Sequence, residues 1–204
     1  MLALADALSP YKDVAEISLI AADKDCAGLT HAKEKGLPTA LIPYKGRPKS
    51  ESEAEMITAL QDTHADWIIL AGFMRILSPE FVQAFAGRII NIHPSLLPLY
   101  KGLDTHQRAL DNGDSIHGAS VHIVTEALDD GPILLQASIA INDKDNADSL
   151  AARLLPVEHW LYQSSIIGLV TGDLSLTQGQ VLWNKIPEDT PIGAKVTICH
   201  VKGG

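Results

Sequence analysis

Apolar and polar residues follow one another in blocks that predict alternating helices and strands. Short, continuous apolar runs bounded by turn residues are typical of parallel strands covered on both faces. Strands are predicted at 15–22, 39–43, 66–72 and 88–92, and helices before them at 2–8, 25–35, 50–64 and 78–87. This alternation predicts an α/β, Rossmann-like fold with a doubly wound parallel sheet.

Two of the predicted helices carry recognisable start signals. Ser50 and Glu53 have the spacing of a capping box. Ser78, Pro79 and Glu80 combine an N-cap, a proline at the first helical position and an acid in the first turn. We therefore expect helices to begin at both places.

The pattern changes in the second half of the chain. Residues 118–141 hold two apolar strands around an acidic turn, which favours antiparallel pairing. A long helix is predicted at 146–170, with Pro156 inside it, followed by a terminal hairpin. The parallel part thus continues into an antiparallel part, and we divide the chain into a domain, 1–186, and a C-terminal tail, 187–204.

Composition and charge exclude several classes of function. The formal net charge of -9 argues against a nucleic-acid-binding surface. The longest apolar runs are too short for a membrane span, and the N-terminus lacks a basic region and a cleavage site, so a cytoplasmic protein is expected. Cys26 and Cys199 lack CxxC spacing, which favours free thiols in a reducing compartment.

Candidate chemistry lies where the strand at 88–92 ends, in the string NIHPSLLP. Asn91 and His93 are two residues apart, so on an extended backbone their side chains point to the same side. An amide and an imidazole aimed at one point form an oxyanion site. A carboxylate would orient the imidazole and favour its protonated form; Asp129 is the first candidate and Asp130 the second.

Other interpretations of these residues remain open at this point. A lone histidine at a strand end is more often a packed residue than a catalyst. His106, His117 and His122 lie nearby in sequence, but they lack metal-ligand spacing, so no metal is predicted. His122 could line the cleft or only pack beside it.

Longer strings in the sequence resemble a known enzyme family. FMRILSPEFV, NIHPSLLP followed by YKGLDTH, HGASVHIVTEALDDGPILLQ and VEHW resemble the phosphoribosylglycinamide formyltransferase branch of the folate-dependent formyltransferases. The resemblance runs from about residue 14 to residue 185. It implies transfer of a formyl group from 10-formyltetrahydrofolate to the amine of glycinamide ribonucleotide, in purine biosynthesis and without a metal.

The resemblance also implies roles for individual residues. Asn91 matches the oxyanion-binding amide, His93 the imidazole that stabilises the developing charge, and Asp129 the carboxylate that helps to move the proton. Glu158 matches an acid that contacts the ribose of the nucleotide. The matching folate-pocket residues are Met74, Arg75, Ile76, Leu77, Val82, Thr125, Glu126 and Asp129.

The sequence departs from the family in two places. The family's first strand, expected between the strands at 15–22 and 66–72, and its phosphate-binding Gly-Ser-rich loop have no counterpart. Leu155 replaces a family Lys or Gln, and whether Lys49 or Arg47 substitutes for it is open. A shortened sequence and a degenerate relative both explain the first difference. We expect low activity with the ribonucleotide in either case.

Several rival functions share parts of this sequence pattern. Methionyl-tRNA formyltransferase shares NIHPSLLP but needs tRNA contacts and a further domain, which the net charge and the short tail disfavour. Formyltetrahydrofolate hydrolase shares the candidate trio but usually carries an N-terminal regulatory domain. A folate-binding remnant without turnover is the alternative outside the enzymes. The expected partners are small-molecule substrates, with no nucleic acid and no membrane, in a monomer or homodimer.

Overall fold

The computed structural model describes residues 2–177, 179–187, 189, 191 and 193–197. Cys199, one of the two predicted free thiols, lies outside them. The α-helices are α1 Leu2–Leu8, α2 Ala27–Glu34, α3 Lys49–Gln61, α4 Pro79–Ala84, α5 Thr105–Asp111 and α6 Ala147–Thr171. The strands are β1 Ile20–Ala22, β2 Thr39–Leu41, β3 Ile68–Ile69, β4 Ile89–His93, β5 Ile116–Ile123, β6 Ile133–Ala140, β7 Leu174–Thr177, β8 Gln180–Trp183 and β9 Lys195–Thr197.

The central sheet has five strands in the order β3-β4-β5-β6-β9. β3 and β4 are parallel, whereas β4, β5, β6 and β9 pair antiparallel in turn. The structure therefore confirms an α/β fold whose parallel part continues into an antiparallel part. β7 and β8 form the predicted hairpin, which stands as a separate two-stranded sheet.

The main core lies where α6 packs against β5 and β6. Leu134 and Leu135 of β6 meet Leu150, Leu154 and Leu161 of α6, and all five side chains are fully buried. Burial of each such side chain contributes about 2 kcal/mol to stability. This core supports the ends of β4 and β5, where the candidate chemistry lies.

The termini of α6 follow from local sequence. The side chain of Asn146 accepts a hydrogen bond from the backbone N–H of Ser149, and the Ser149 side chain accepts one in return. Gly172 closes the helix in the left-handed conformation that favours glycine. Pro156 lies within the helix, as predicted.

The start of α3 differs from the prediction. The helix begins at Lys49 after Pro48, with no side-chain cap, so Ser50 lies inside the first turn and the predicted capping box is wrong. The carboxylate of Glu53 is engaged elsewhere, since it accepts a hydrogen bond from the backbone N–H of Ser78. The cap predicted at Ser78 is confirmed, because its side chain accepts from Phe81 N–H.

The strand predicted at 15–22 is shorter than expected, because in the described part of the chain it is reduced to Ile20–Ala22, which pair with β2. A cavity of about 850 Å³ separates β1 from β3. Ile68 donates its backbone N–H to the carbonyl of Arg88, just before β4, and Leu70, just beyond β3, donates to Ile90 of β4. The alternate backbone groups of β3 therefore face this cavity. The cavity lies where the family resemblance predicts a further strand.

The division of the chain at residue 186 stays a prediction. β9 lies beyond that boundary and pairs with Gln136–Ser138 of β6, so it extends the central sheet at its edge. In the part of the chain that the structure describes, none of the helices has the length and apolar character needed to cross a bilayer.

Candidate active site

The candidate site lies at the carboxyl end of β4. Asn91 faces His122 across the antiparallel pair of β4 and β5, and His93 faces Ser120. The ladder of β5 and β6 is irregular between Val121 and His122, and such an irregularity changes the direction of the following side chain. Two strands thus deliver an amide and two imidazoles to one end of the sheet.

Both ring nitrogens of His93 face oxygen atoms. Nε2 donates to the backbone carbonyl of Tyr100 at 2.9 Å. Nδ1 lies 3.4 Å from Oδ2 of Asp129. The ring is buried, so these two oxygens fix its orientation. The imidazole and the predicted carboxylate are therefore in direct reach of each other.

Asp129 lies in the turn between β5 and β6. Its backbone has a φ of 49°, in the left-handed region that non-glycine residues rarely adopt. Its Oδ2 also accepts a hydrogen bond from the backbone N–H of Gly102 at 2.9 Å. Asp130, the second candidate, is exposed and pairs with Lys101 instead. Asp129 is thus the carboxylate that the turn directs inward.

His122, whose role the sequence left open, is 2% exposed and touches the other members of the site. Its Nε2 lies 3.5 Å from Nδ2 of Asn91 and 3.7 Å from Oδ1 of Asp129. Its Nδ1 lies 3.0 Å from the carbonyl oxygen of Ile123. Burial lowers the pKa of His122, which favours the neutral ring.

His106 and His117 form a pair beside the site. Nδ1 of His106 and Nε2 of His117 are 3.0 Å apart. Burial is the main cause that lowers the pKa of His117 to about 4, and burial lowers the pKa of His106 as well. In the described residues no three histidine, cysteine or acidic side chains are grouped so that they could hold a metal ion.

The predicted folate residues of the 74–82 segment fall into two groups. Met74 and Ile76 are 91% and 71% exposed, which is unusual for large apolar side chains. Arg75 donates to Asp23 at 2.9 Å, and its guanidinium lies over the Tyr44 ring. Leu77 and Val82 point inward instead, with Val82 buried.

The other predicted folate residues lie across a shallow groove. Val82, Thr125 and Glu126 line this groove, whose volume is about 390 Å³, together with Gln83, Ala86, Gly87, Val124 and Ala127. Gln83 donates a hydrogen bond to the Glu126 carboxylate at 2.9 Å, which joins α4 to the turn that carries Asp129. The two predicted folate segments are therefore adjacent.

Glu158, the predicted substrate residue, differs in environment from the residues considered for a phosphate contact. Glu158 is half-buried, and desolvation raises its pKa to about 7. Leu155 is half exposed one turn earlier. Arg47 donates to Glu55 at 2.6 Å, and Lys49 lies 3.7 Å from Glu53. Both basic residues therefore already have carboxylate partners.

The geometry defines a class of chemistry. An amide donor, an imidazole and a carboxylate converge beyond a strand end, where ligands of open α/β sheets bind. Donors in this arrangement stabilise an oxygen that becomes negative when a carbonyl carbon is attacked. The fold and the site together are those of an enzyme that transfers an acyl-type group.

The comparisons with known proteins narrow this class. The family model described as formyl transferase matches residues 3–166. The chain therefore belongs to the formyl transferase family.

Named relatives share most of the chain. The phosphoribosylglycinamide formyltransferase of Escherichia coli K12 is 42% identical over 176 residues, which cover 85% of this chain and 83% of the relative. The human trifunctional purine biosynthetic protein adenosine-3 is 36% identical over 90% of this chain, which spans 18% of that protein. The solved phosphoribosylglycinamide formyltransferase of Coxiella burnetii superimposes with a TM-score of 0.80 at 38% identity, covering 91% of this chain and 88% of that one.

Proposed function

We propose that this protein transfers a formyl group from 10-formyltetrahydrofolate to the amine of glycinamide ribonucleotide. The observation that carries the proposal is the convergence of Asn91, His93 and Asp129 at the end of β4 in a formyl transferase. The reaction is a step of purine biosynthesis, and its two reactants are small molecules.

The first step is attack of the neutral substrate amine on the formyl carbon. A carbon–nitrogen bond forms, and the formyl oxygen becomes negative in a tetrahedral intermediate. Nδ2–H of Asn91 donates a hydrogen bond to this oxygen, and Nε2–H of His93 does so in exchange for its hydrogen bond to the Tyr100 carbonyl. Each donor that is aimed at the oxyanion in advance is worth about 3 kcal/mol of transition-state stabilisation.

The second step moves a proton and releases the folate. The attacking nitrogen must lose its proton, and the folate nitrogen must gain one as its bond to the formyl carbon breaks. Asp129 lies 3.4 Å from the His93 ring, which fits a role in accepting this proton, directly or through water. The same carboxylate holds the ring in its working orientation.

The remaining residues bind the two reactants. The exposed apolar side chains of Met74 and Ile76 offer a surface for the flat folate ring, beside the groove at Val82, Thr125 and Glu126. Arg75 and Leu77 complete this segment. Glu158 binds a hydroxyl of the ribose; its raised pKa allows it to donate as well as accept hydrogen bonds near neutral pH.

The protein works in the cytoplasm, as a monomer or homodimer. This proposal rests on the nature of the substrates, which are small molecules of purine biosynthesis. Sedimentation of the purified chain at two concentrations distinguishes the two assemblies.

The test is a formyl-transfer assay with both reactants on the wild-type protein, Asn91→Ala, His93→Ala and the exposed control His31→Ala. We expect each site variant to lower kcat by about 10²-fold or more, because each loses one oxyanion donor, and the control to leave it unchanged. Wild-type kcat in a site variant that retains its fold would contradict the proposal.

The same assay measures the Michaelis constant for the ribonucleotide. We expect this Michaelis constant to lie above the micromolar range, because Arg47 and Lys49 are already paired with carboxylates and Leu155 cannot bind phosphate. A value typical of micromolar-binding enzymes would contradict this part of the proposal.

A further inference from the structure

The side chain of His122 is placed so that it controls the direction of the Asn91 amide. The two residues face each other across β4 and β5. His122 is almost completely buried, so its polar atoms must find partners inside the protein. Its partners determine which ring nitrogen carries the proton.

The tautomer follows from the backbone. Nδ1 of His122 lies 3.0 Å from the carbonyl oxygen of Ile123, which can only accept a hydrogen bond. Nδ1 therefore carries the proton, and in the neutral ring Nε2 presents a lone pair. That lone pair faces Nδ2 of Asn91 at 3.5 Å, so the Asn91 amide donates to it.

The Asn91 amide has a donor end and an acceptor end, and only one end can face the reacting oxygen. Nδ2 carries two N–H bonds; when one points to His122, the other is free for the formyl oxygen. If the side-chain amide of Asn91 rotated by about 180°, Oδ1 would face the formyl oxygen instead of Nδ2. The partial negative charge of Oδ1 would then repel the oxyanion. A lone pair on Nε2 of His122 prevents this rotation.

We propose that His122 is a positioning residue that holds the Asn91 amide with its N–H toward the formyl oxygen. The inference rests on the proposed function, since it assigns His122 a task in that reaction. His122 touches neither reactant and acts through Asn91. Two titratable groups face it, Asp129 from the β5–β6 turn and His93 from β4.

A double-mutant cycle tests the proposal. We expect His122→Leu, which lacks an acceptor, to lower kcat about tenfold with little change in either Michaelis constant. His122→Gln, whose Oε1 can accept from the amide, should keep kcat within about threefold of the wild type. In an Asn91→Ala background, His122→Leu should have no further effect on kcat. Additive losses in the cycle would overturn the proposal, as would an unchanged kcat in a folded His122→Leu variant.

A pH profile covers the case in which His122→Leu does not fold. Protonation of Nε2 removes the lone pair, so kcat of the wild type should fall as the pH drops through the pKa of His122. His122→Gln cannot take up that proton and should lack this limb of the profile, although any limb due to Asp129 or His93 remains. Identical acid limbs in both proteins would overturn the proposal.

A spectroscopic measurement separates this inference from the proposed function. In protein labelled with ¹⁵N-histidine, we expect His122 at pH 7.5 to be neutral, with the proton on Nδ1. A proton on Nε2 would overturn the inference even in an active enzyme. A chain that shows this tautomer but no formyl transfer would leave the orientation of the amide intact and overturn the proposed function.

Discussion

At the scale of single residues, Asp129 shows how the fold maintains an unfavourable backbone conformation at the candidate site. Its left-handed backbone costs about 1 kcal/mol or more for a residue with a side chain. The hydrogen bond from Gly102 N–H and the contact with the His93 ring hold the carboxylate in place. The turn thereby directs one of two adjacent acids inward.

Replacement of Asp129 by Asn tests its chemical role with little change of shape. Asn can still accept a hydrogen bond from Gly102 but carries no charge and accepts no proton. We expect kcat to fall by about 10²-fold or more, because proton transfer loses its base. The matched control is Asp130→Asn, which changes the neighbouring exposed acid and should leave kcat unchanged. Equal losses in the two variants would contradict the assignment.

Glu158 provides a prediction about stability and pH. Desolvation raises its pKa to about 7 in the folded protein. As the pH rises, the carboxyl group therefore ionises in the unfolded chain before it does so in the folded one. Its contribution to stability is complete below the unfolded pKa and is lost as the pH rises through about 7. We expect Glu158→Gln to gain about 2 kcal/mol at pH 8 and almost nothing at pH 4.

Urea denaturation of Glu158→Gln at the two pH values measures this effect. Glu34→Gln, at an exposed position at the end of α2, is the control and should change stability little at either pH. The same gain for Glu158→Gln at both pH values would show that ionisation is not the cause.

At the scale of elements, sequence patterns predicted most of the fold, because they reflect local physics. The N-cap at Ser78, the long helix α6 with Pro156 inside it and the β5–β6 pair were all readable from residue types and spacing. The capping box predicted at Ser50 was wrong, because α3 begins one residue earlier, at Lys49, and the Glu53 carboxylate accepts a hydrogen bond from Ser78 N–H instead.

The candidate site was predictable for a different reason. Asn91 and His93 share one side of a strand, which periodicity alone gives. The position of the His122 side chain at the site was not predictable, because it depends on the pairing of β4 with β5 and on the irregularity beside Val121. Which of Asp129 and Asp130 points inward likewise depends on backbone conformation in the turn.

Gly131 links the shape of that turn to the site. A Cβ atom at this position would lie 1.8 Å from the carbonyl oxygen of Ile123, so the backbone would have to move. We expect Gly131→Ala to destabilise the protein by about 2 kcal/mol and to lower kcat at least tenfold, because Asp129 shifts with the turn. Thermal unfolding and the transfer assay measure the two effects.

Gly172→Ala is the control for this prediction. Gly172 has a φ of 80° and open space around it, and it lies at the end of α6. Its replacement should cost about 1 kcal/mol through backbone strain without lowering kcat. An unchanged kcat in Gly131→Ala would show that the turn can adapt without displacing Asp129.

At the scale of the whole molecule, the parallel part and the antiparallel part differ in how firmly they are held. β5 pairs with β6 along nearly its full length and both pack on α6, whereas β1 and β2 pair over three residues. Among the described residues, one edge of β1 faces the cavity of about 850 Å³ and has no neighbouring strand. Stability is therefore distributed unevenly across the sheet layer.

Hydrogen exchange measures this difference directly. We expect the backbone amides of β5 to exchange at least 10²-fold more slowly than those of β1 and β2, because short strands beside a cavity open locally. The amides of β6 that bond to β5 serve as the internal reference. Similar protection in all four strands would show that the small parallel sheet is as stable as the core.

The carbonyl group of Tyr100 has a consequence for ligand entry. The Tyr100 carbonyl oxygen accepts a hydrogen bond from Nε2–H of His93 at 2.9 Å. A substrate oxygen that accepts a hydrogen bond from the same N–H must therefore displace this carbonyl. The substrate oxygen then replaces the Tyr100 carbonyl as the acceptor, and the His93 ring keeps its orientation. If His93 binds the substrate oxygen as proposed, the Tyr100 carbonyl occupies the place of that oxygen in the absence of substrate.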